Sequence, residues 1–230
     1  MSMREALDLS AYLVIGPENT KGRPVKPVIR DAVAAGFTIV QVRSKAASAR
    51  ELIGCCRDAA EAIAESGRAD RVALVADDRL DVVLAAREAG IKVDGIHVGQ
   101  SDIPAAVCRK YLGDDAVIGL SARTRELIDY VRTADISDID YFGAGPLHET
   151  ATKPEAGRGE DGRVITRSLE EIAELARLSP IPAVIGGGVK LADIPDLKRT
   201  GITGFFVVSA VTEAADPGRA AAALTAAWHA

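Results

Sequence analysis

Aromatic residues make up only 4% of this 230-residue chain, and Trp occurs once. A core without aromatics must be aliphatic, and at 48% hydrophobic the chain has the Ala, Val, Ile and Leu for one. Such residues suit parallel strands buried on both faces. Cysteine is scarce too: Cys55, Cys56 and Cys108 are an odd set with no CxxC pair. That argues against a disulfide framework or a zinc site and for reduced thiols in the cytoplasm. No apolar run approaches the roughly 20 residues that span a bilayer. Residues 1–10 are mixed and charged, so no apolar leader is expected. Excess positive charge is also lacking. A formal net charge of −5 leaves no basic footprint for nucleic acid. Small anions stay open as ligands, because they need only a local positive site. A homo-oligomer is compatible with all of this.

What is present is a rhythm. Short strand-like runs fall at Tyr12–Ile15, Thr38–Val42, Val72–Ala76, Gly95–His97, Val117–Gly119, Tyr141–Gly143, Ala183–Ile185 and Gly204–Val208. Amphipathic stretches alternate with them at Val28–Ala35, Ala49–Glu65, Arg79–Ala89, Ile103–Leu112, Arg125–Ala134, Leu169–Leu178, Leu191–Lys198 and Gly218–Trp228. Parallel strands need crossover helices, and eight strand–helix units in 230 residues predict a single (β/α)₈ TIM barrel. An open doubly wound sheet is the competitor. One connection is long: Thr150–Arg167, rich in Gly and charge, follows the sixth strand. At the C-terminal end of a barrel strand, such a segment is expected to be a mobile active-site loop.

Polar residues gather at the strand ends. In Gln41-Val42-Arg43-Ser44-Lys45, alternation turns Gln41, Arg43 and Lys45 into the barrel mouth. Inward charges need a partner, either an anionic ligand or a neighbouring carboxylate. Strand three ends in Asp77-Asp78, and strand four leads to Asp102. Adjacent strands would bring Asp77 and Asp102 together, and two carboxylates plus phosphate oxygens suit Mg²⁺. The alternative for Asp78 or Asp102 is a helix cap. Strand five supplies Ser121, and the segment after strand six supplies Thr150, Thr152 and Lys153, a hydroxyl-flanked Lys suited to phosphate. Strand seven ends in Gly186-Gly187-Gly188, and strand eight in Val208-Ser209. The loops after strands seven and eight form the recurrent phosphate site of barrels, and Gly lets backbone N–H groups approach closely. His97 reads as a hydrogen-bonded structural residue, His148 is ambiguous, and His229 sits at a fraying end.

Together, Gln41–Lys45, Asp77-Asp78-Arg79, Asp94–Asp102, Gly119–Ser121, Asp140–Pro146, Thr150–Lys153, Ile185–Val189 and Val207–Val211 resemble thiamine phosphate synthases in order, spacing and placement. The resemblance implies coupling of hydroxymethylpyrimidine pyrophosphate to a thiazole phosphate, with pyrophosphate leaving first. It implies that Arg43, Lys45, Ser121 and Lys153 hold pyrophosphate, that Asp77 and Asp102 hold Mg²⁺, and that Gln41 faces the pyrimidine. Thr150, Thr152, Gly187, Gly188, Val208 and Ser209 would take the thiazole phosphate.

Three positions depart from that family's pattern. Ser44 stands where Glu is usual, Ala76 where an Asn precedes the metal Asp, and Arg123 where a His follows the strand-five Ser. Two other readings belong to the same scaffold. A related thiazole tautomerase uses that His as its acid/base, and a non-catalytic phosphate-binding barrel would bind without turnover. Retained Asp77, Asp102 and Lys153 favour the synthase.

Overall fold

A computed structural model describes residues 2–149 and 164–230. Eight parallel strands close in sequence order into a barrel. They are β1 Ala11–Ile15, β2 Ile39–Val42, β3 Ala73–Asp77, β4 Gly95–Val98, β5 Val117–Ser121, β6 Tyr141–Ala144, β7 Ala183–Ile185 and β8 Gly204–Val207. Closure is made by β8 against β1, with Tyr12 opposite Phe206. The open-sheet alternative is therefore excluded.

The helices are α1 Val25–Ala34, α2 Ala49–Glu65, α3 Leu80–Glu88, α4 Ala105–Leu112, α5 Leu127–Thr133, α6 Leu169–Leu178, α7 Ile194–Arg199, α8 Ser209–Thr212 and α9 Pro217–His229. The expected spans of α2 and α6 coincide with the observed ones, and both begin on a Ser whose hydroxyl accepts from the third helical N–H. Such a cap marks a helix start in sequence as well as in structure. The single turn α8 escaped the periodicity reading because four residues carry too little pattern. Among the described residues no helix is long and apolar enough to cross a membrane.

Alternation sorts the strand side chains into two cores. Leu74 and Ala76 of β3 face the helices and join the large outer core. Ala73 and Val75 face the barrel axis with Tyr12, Val14, Ile39, Val117, Tyr141 and Val184. Leu9, with Met3 and Leu7 packed against it, closes the N-terminal end of this inner core. There Arg4 Nε donates to Asp140 Oδ1 at 2.6 Å, and Arg109 reaches Asp140 Oδ2 at 3.0 Å. The N-terminal end is thus sealed by apolar contacts and by the two ion pairs of Asp140, of which only the one to Arg109 is buried on both sides. The C-terminal end is left for chemistry.

Candidate active site

The strand ends surround a cavity of about 370 Å³ at the C-terminal mouth of the barrel. Every described residue expected to hold substrate or metal lines it: Gln41, Arg43, Lys45, Asp77, Asp102, Ser121, Gly187, Gly188, Val208 and Ser209. Thr150, Thr152 and Lys153, with most of the long segment after β6, lie outside the described residues. The return of that segment is anchored. Arg167 is buried, its N–H donates to Pro146 O, and its guanidinium bonds Glu171 and the Thr124 carbonyl.

One side of the cavity is charged. Arg43 Nε lies 3.1 Å from Asp77 Oδ2, and Lys45 Nζ lies 3.5 Å from the same oxygen. The ion-pair alternative for Arg43 is therefore realised, in a position that also faces the cavity. Lys45 also bonds Asp78, and its backbone N–H donates to Glu18 Oε1 at 3.1 Å. Burial alone would depress the Lys45 ammonium, yet the Asp78 bond and the charges of Asp77 and Asp78 raise it above its usual value. Lys45 is a firmly held cation.

The carboxyl that bonds Asp102 is that of Asp78. Burial pushes the Asp102 carboxyl up, and a hydrogen bond with Asp78 adds to that rise. Burial works against Asp78 as well, but bonds from Lys45 and Asp102 carry it below its usual value. The two carboxyls of this close pair are thus shifted in opposite directions, Asp78 down and Asp102 up. Asp78 bonds both Asp77 and Asp102, the two residues expected to share the metal. Asp77 lies deeper and takes a hydrogen bond from Gln41 Nε2 at 2.5 Å in addition to the Arg43 pair. A one-residue shift in a strand turns a side chain to the other face. Here β3 ends at Asp77, and Asp78 leaves the strand in the left-handed region, at φ 58. That turn swings the Asp78 carboxylate to Asp102, and alternation alone could not forecast it. The capping alternative fails too. Arg79 is the residue that starts α3, and Asp102 Oδ2 accepts from Gly99 N at 2.8 Å rather than from α4.

Ala76 is no departure at the site. It packs in the outer core, away from the cavity. Arg123 is exposed at the rim, its guanidinium 5.2 Å from the Tyr130 ring centroid and its Nε 3.3 Å from Gln100 Oε1.

The opposite side is built from backbone. Gly187 and Gly188 hold φ of 80 and 75, open only to Gly at little cost. A Cβ on Gly187 would come within 2.5 Å of Pro146 Cβ. The Gly186 and Gly187 carbonyls accept from Leu147 N and His148 N, both at 2.9 Å. No described residue accepts from the N–H of Gly187 or Gly188. His148 lies at the rim, its Nε2 3.0 Å from Asp193 Oδ2.

Between the two sides lies a polar floor that sequence reading largely missed. Tyr12 Oη bonds Gln41 Oε1 at 2.7 Å and Tyr141 Oη at 2.9 Å. Tyr141 Oη bonds His97 Nδ1 at 3.0 Å, and His97 Nε2 bonds Ser121 Oγ at 3.0 Å. The available signal was a Tyr at an inward strand position, where burial demands a partner for the hydroxyl.

A family model described as thiamine monophosphate synthase matches residues 11–211. A thiamine-phosphate synthase of Corynebacterium efficiens is 40% identical over 216 residues, covering 94% of this chain and 93% of that protein. One from Ruminiclostridium cellulolyticum is 34% identical, covering 93% and 92%. Among solved structures, a thiamine phosphate pyrophosphorylase from Pyrococcus furiosus superposes with a TM-score of 0.77 at 27% identity, covering 99% and 98% of the two chains. A 3-hexulose-6-phosphate synthase, at 15% identity and a TM-score of 0.63, shares the fold.

Proposed function

This chain belongs to the thiamine monophosphate synthase family, and from that premise we propose that its barrel mouth couples hydroxymethylpyrimidine pyrophosphate to a thiazole phosphate. The chain is a transferase whose product is thiamine phosphate. In the proposed step the bond from the pyrimidine methylene carbon to pyrophosphate oxygen breaks, and the thiazole nitrogen forms the new bond to that carbon. Pyrophosphate departs with the electron pair.

The observation that carries this reading is the division of one cavity into two anion-binding sides. Arg43 and Lys45 stand on one side, and on the other stand the N–H groups of Gly187 and Gly188, from which no described residue accepts. Two phosphorylated substrates need two such sides, with their reacting atoms meeting between them. Charge grows on pyrophosphate as it leaves, so cations already in place stabilise the transition state more than the ground state. Arg43 is held by Asp77, and Lys45 by Asp77, Asp78 and the Glu18 bond at its backbone.

The Asp78–Asp102 pair fits Mg²⁺. Asp78 and Asp102 stand side by side in the cavity lining, where their carboxylate oxygens present hard donors. When bound, the cation would neutralise charge on the pyrophosphate. Asp77 then serves the orientation of Gln41 and Arg43. Gln41 faces the pyrimidine, Ser121 meets the pyrophosphate, and Val208 and Ser209 border the thiazole phosphate. Lys153 joins the pyrophosphate side, and Thr150 and Thr152 the thiazole phosphate side. Reduced cysteines and small phosphorylated substrates fit an enzyme of the cytoplasm.

The test is stoichiometry. Purified protein given both substrates and Mg²⁺ should yield thiamine phosphate and pyrophosphate in equal amounts, and neither product when either substrate is omitted. Binding of both substrates without product would instead support a binding protein.

A further inference from the structure

Six polar side chains cross the barrel floor in one unbroken hydrogen-bond series, and Asp77 dictates its direction. Asp77 Oδ2 has Arg43 Nε at 3.1 Å and Lys45 Nζ at 3.5 Å. Its other oxygen, Oδ1, accepts from the Gln41 amide at 2.5 Å. The amide atom that bonds it must be the Gln41 nitrogen, which turns Gln41 Oε1 to Tyr12 as an acceptor. Tyr12 therefore spends its one proton on Gln41 and accepts from Tyr141. Tyr141 spends its proton on Tyr12 and accepts from His97 Nδ1. Burial pushes both phenols well above their usual value, so each keeps a single proton to give. His97 Nδ1 is thereby the donor to Tyr141, and its Nε2 stands 3.0 Å from Ser121 Oγ. Which nitrogen of a neutral His carries the proton is set by the bond the other makes.

We infer that Tyr12, Tyr141 and His97 are positioning residues, which hold Gln41 and Ser121 in fixed orientation at the two ends of a one-way hydrogen-bond chain set by Asp77. This rests on the proposed function, in which Gln41 meets the pyrimidine and Ser121 the pyrophosphate. Through the chain, the two halves of the pyrophosphate substrate are read by a single rigid unit. Gln41 presents its amide in one sense only, oxygen toward β1 and nitrogen toward β3. Ser121 is held with its Oγ 3.0 Å from the imidazole Nε2. The chain also explains two glycines in β5 and β6. A Cβ on Gly119 would lie 2.4 Å from both His97 Nδ1 and Tyr141 Oη, and one on Gly143 would lie 3.0 Å from His97 Cε1. Both positions must stay bare for the ring to sit where it does.

The experiment reads the chain in the free protein and then in turnover. With three histidines in the sequence, two-bond ¹H–¹⁵N correlation of the labelled protein separates the rings, and His97→Asn identifies its own signals. The expected neutral form carries the proton on Nδ1. Tyr141→Phe removes the acceptor for that proton, and Asp77→Asn lets the Gln41 amide turn, so each should move population to the Nε2–H form. An Nε2–H ring in the wild type, or a ring unmoved by both variants, overturns the inference. In turnover, Tyr141→Phe should lower kcat by up to roughly 100-fold through misplacement of reacting groups. KM for the thiazole phosphate, bound on the far side of the cavity, should hold. Unchanged kcat, or a KM that rises in step, contradicts a positioning role. A wild type that makes no thiamine phosphate refutes the proposed function, and the tautomer in the free protein still decides the chain.

Discussion

Asp78 and Asp102 meet between β3 and β4 with their carboxyls shifted in opposite directions, although both carry the same side chain. Lys45 makes the difference, since it bonds Asp78 and leaves Asp102 to face a like charge. Their substitutions should therefore move stability in opposite directions. Burial and Asp78 raise the Asp102 carboxyl above its unfolded value, so ionised Asp102 subtracts stability as pH rises from the unfolded carboxyl range through the raised one. Asp78 is lowered, so its contribution is present above the unfolded value and is lost as pH falls through the folded one. In chelator at neutral pH, Asp102→Asn should melt no lower than wild type, and Asp78→Asn should melt lower. At acid pH the three should converge. Equal losses from both variants at neutral pH would contradict the asymmetry. Both variants should lose Mg²⁺ binding.

Ala76 gives a prediction of opposite sense to its neighbour. Its methyl packs in the outer core beneath the helices. Ala76→Asn should destabilise by about 1–3 kcal/mol through an unpaired buried amide, and affinity for the pyrimidine pyrophosphate should not improve. Urea unfolding and a binding titration on the same variant separate the two effects. A tighter complex would show that position 76 reaches the cavity.

Gly187 tests the backbone side of the site. At φ 80, with Pro146 Cβ 2.5 Å from where its own Cβ would stand, Gly187→Ala must distort the turn. A non-Gly residue so placed costs on the order of 1–3 kcal/mol. The expected kinetic result is a raised KM for the thiazole phosphate with little change for the pyrimidine substrate. Equal effects on both would contradict the two-sided division of the cavity.

Much of this site was legible because period-two alternation and strand order are enough to aim Gln41, Arg43, Asp77 and Ser121 inward. The barrel itself follows from eight alternating units and an aliphatic composition. The missing parts have local causes. Asp78 owes its direction to a left-handed turn just past the strand, where alternation no longer applies. Ala76 looked like a site residue because the neighbouring acidic pair permits two alignments that differ by one residue. Tyr12, Tyr141 and His97 matter through contacts between strands distant in sequence, such as Tyr12 with Tyr141. The ion pairs of Arg4 and Arg109 with Asp140 were hidden for the same reason.

Lys153 offers a test of leaving-group stabilisation. If it meets departing pyrophosphate, its benefit is largest in the transition state. Lys153→Ala should lower kcat on the order of 10²–10³-fold, the scale of a lost oxyanion donor, as well as weaken binding. Single-turnover measurement of the chemical step checks this. A change confined to KM would assign Lys153 to uniform binding.

The most direct measurement sets coupling against tautomerisation in one preparation. A tautomerase needs an acid/base that titrates near neutrality. The place where the related enzymes carry that His holds Arg123, an exposed guanidinium stacked on Tyr130. Wild-type protein would be given the two phosphorylated substrates, or the thiazole carboxylate phosphate alone, each with Mg²⁺ and with excess chelator. The account predicts thiamine phosphate only when Mg²⁺ is present and no appreciable tautomerisation. Robust tautomerisation that ignores the chelator, with no thiamine phosphate formed, would contradict it.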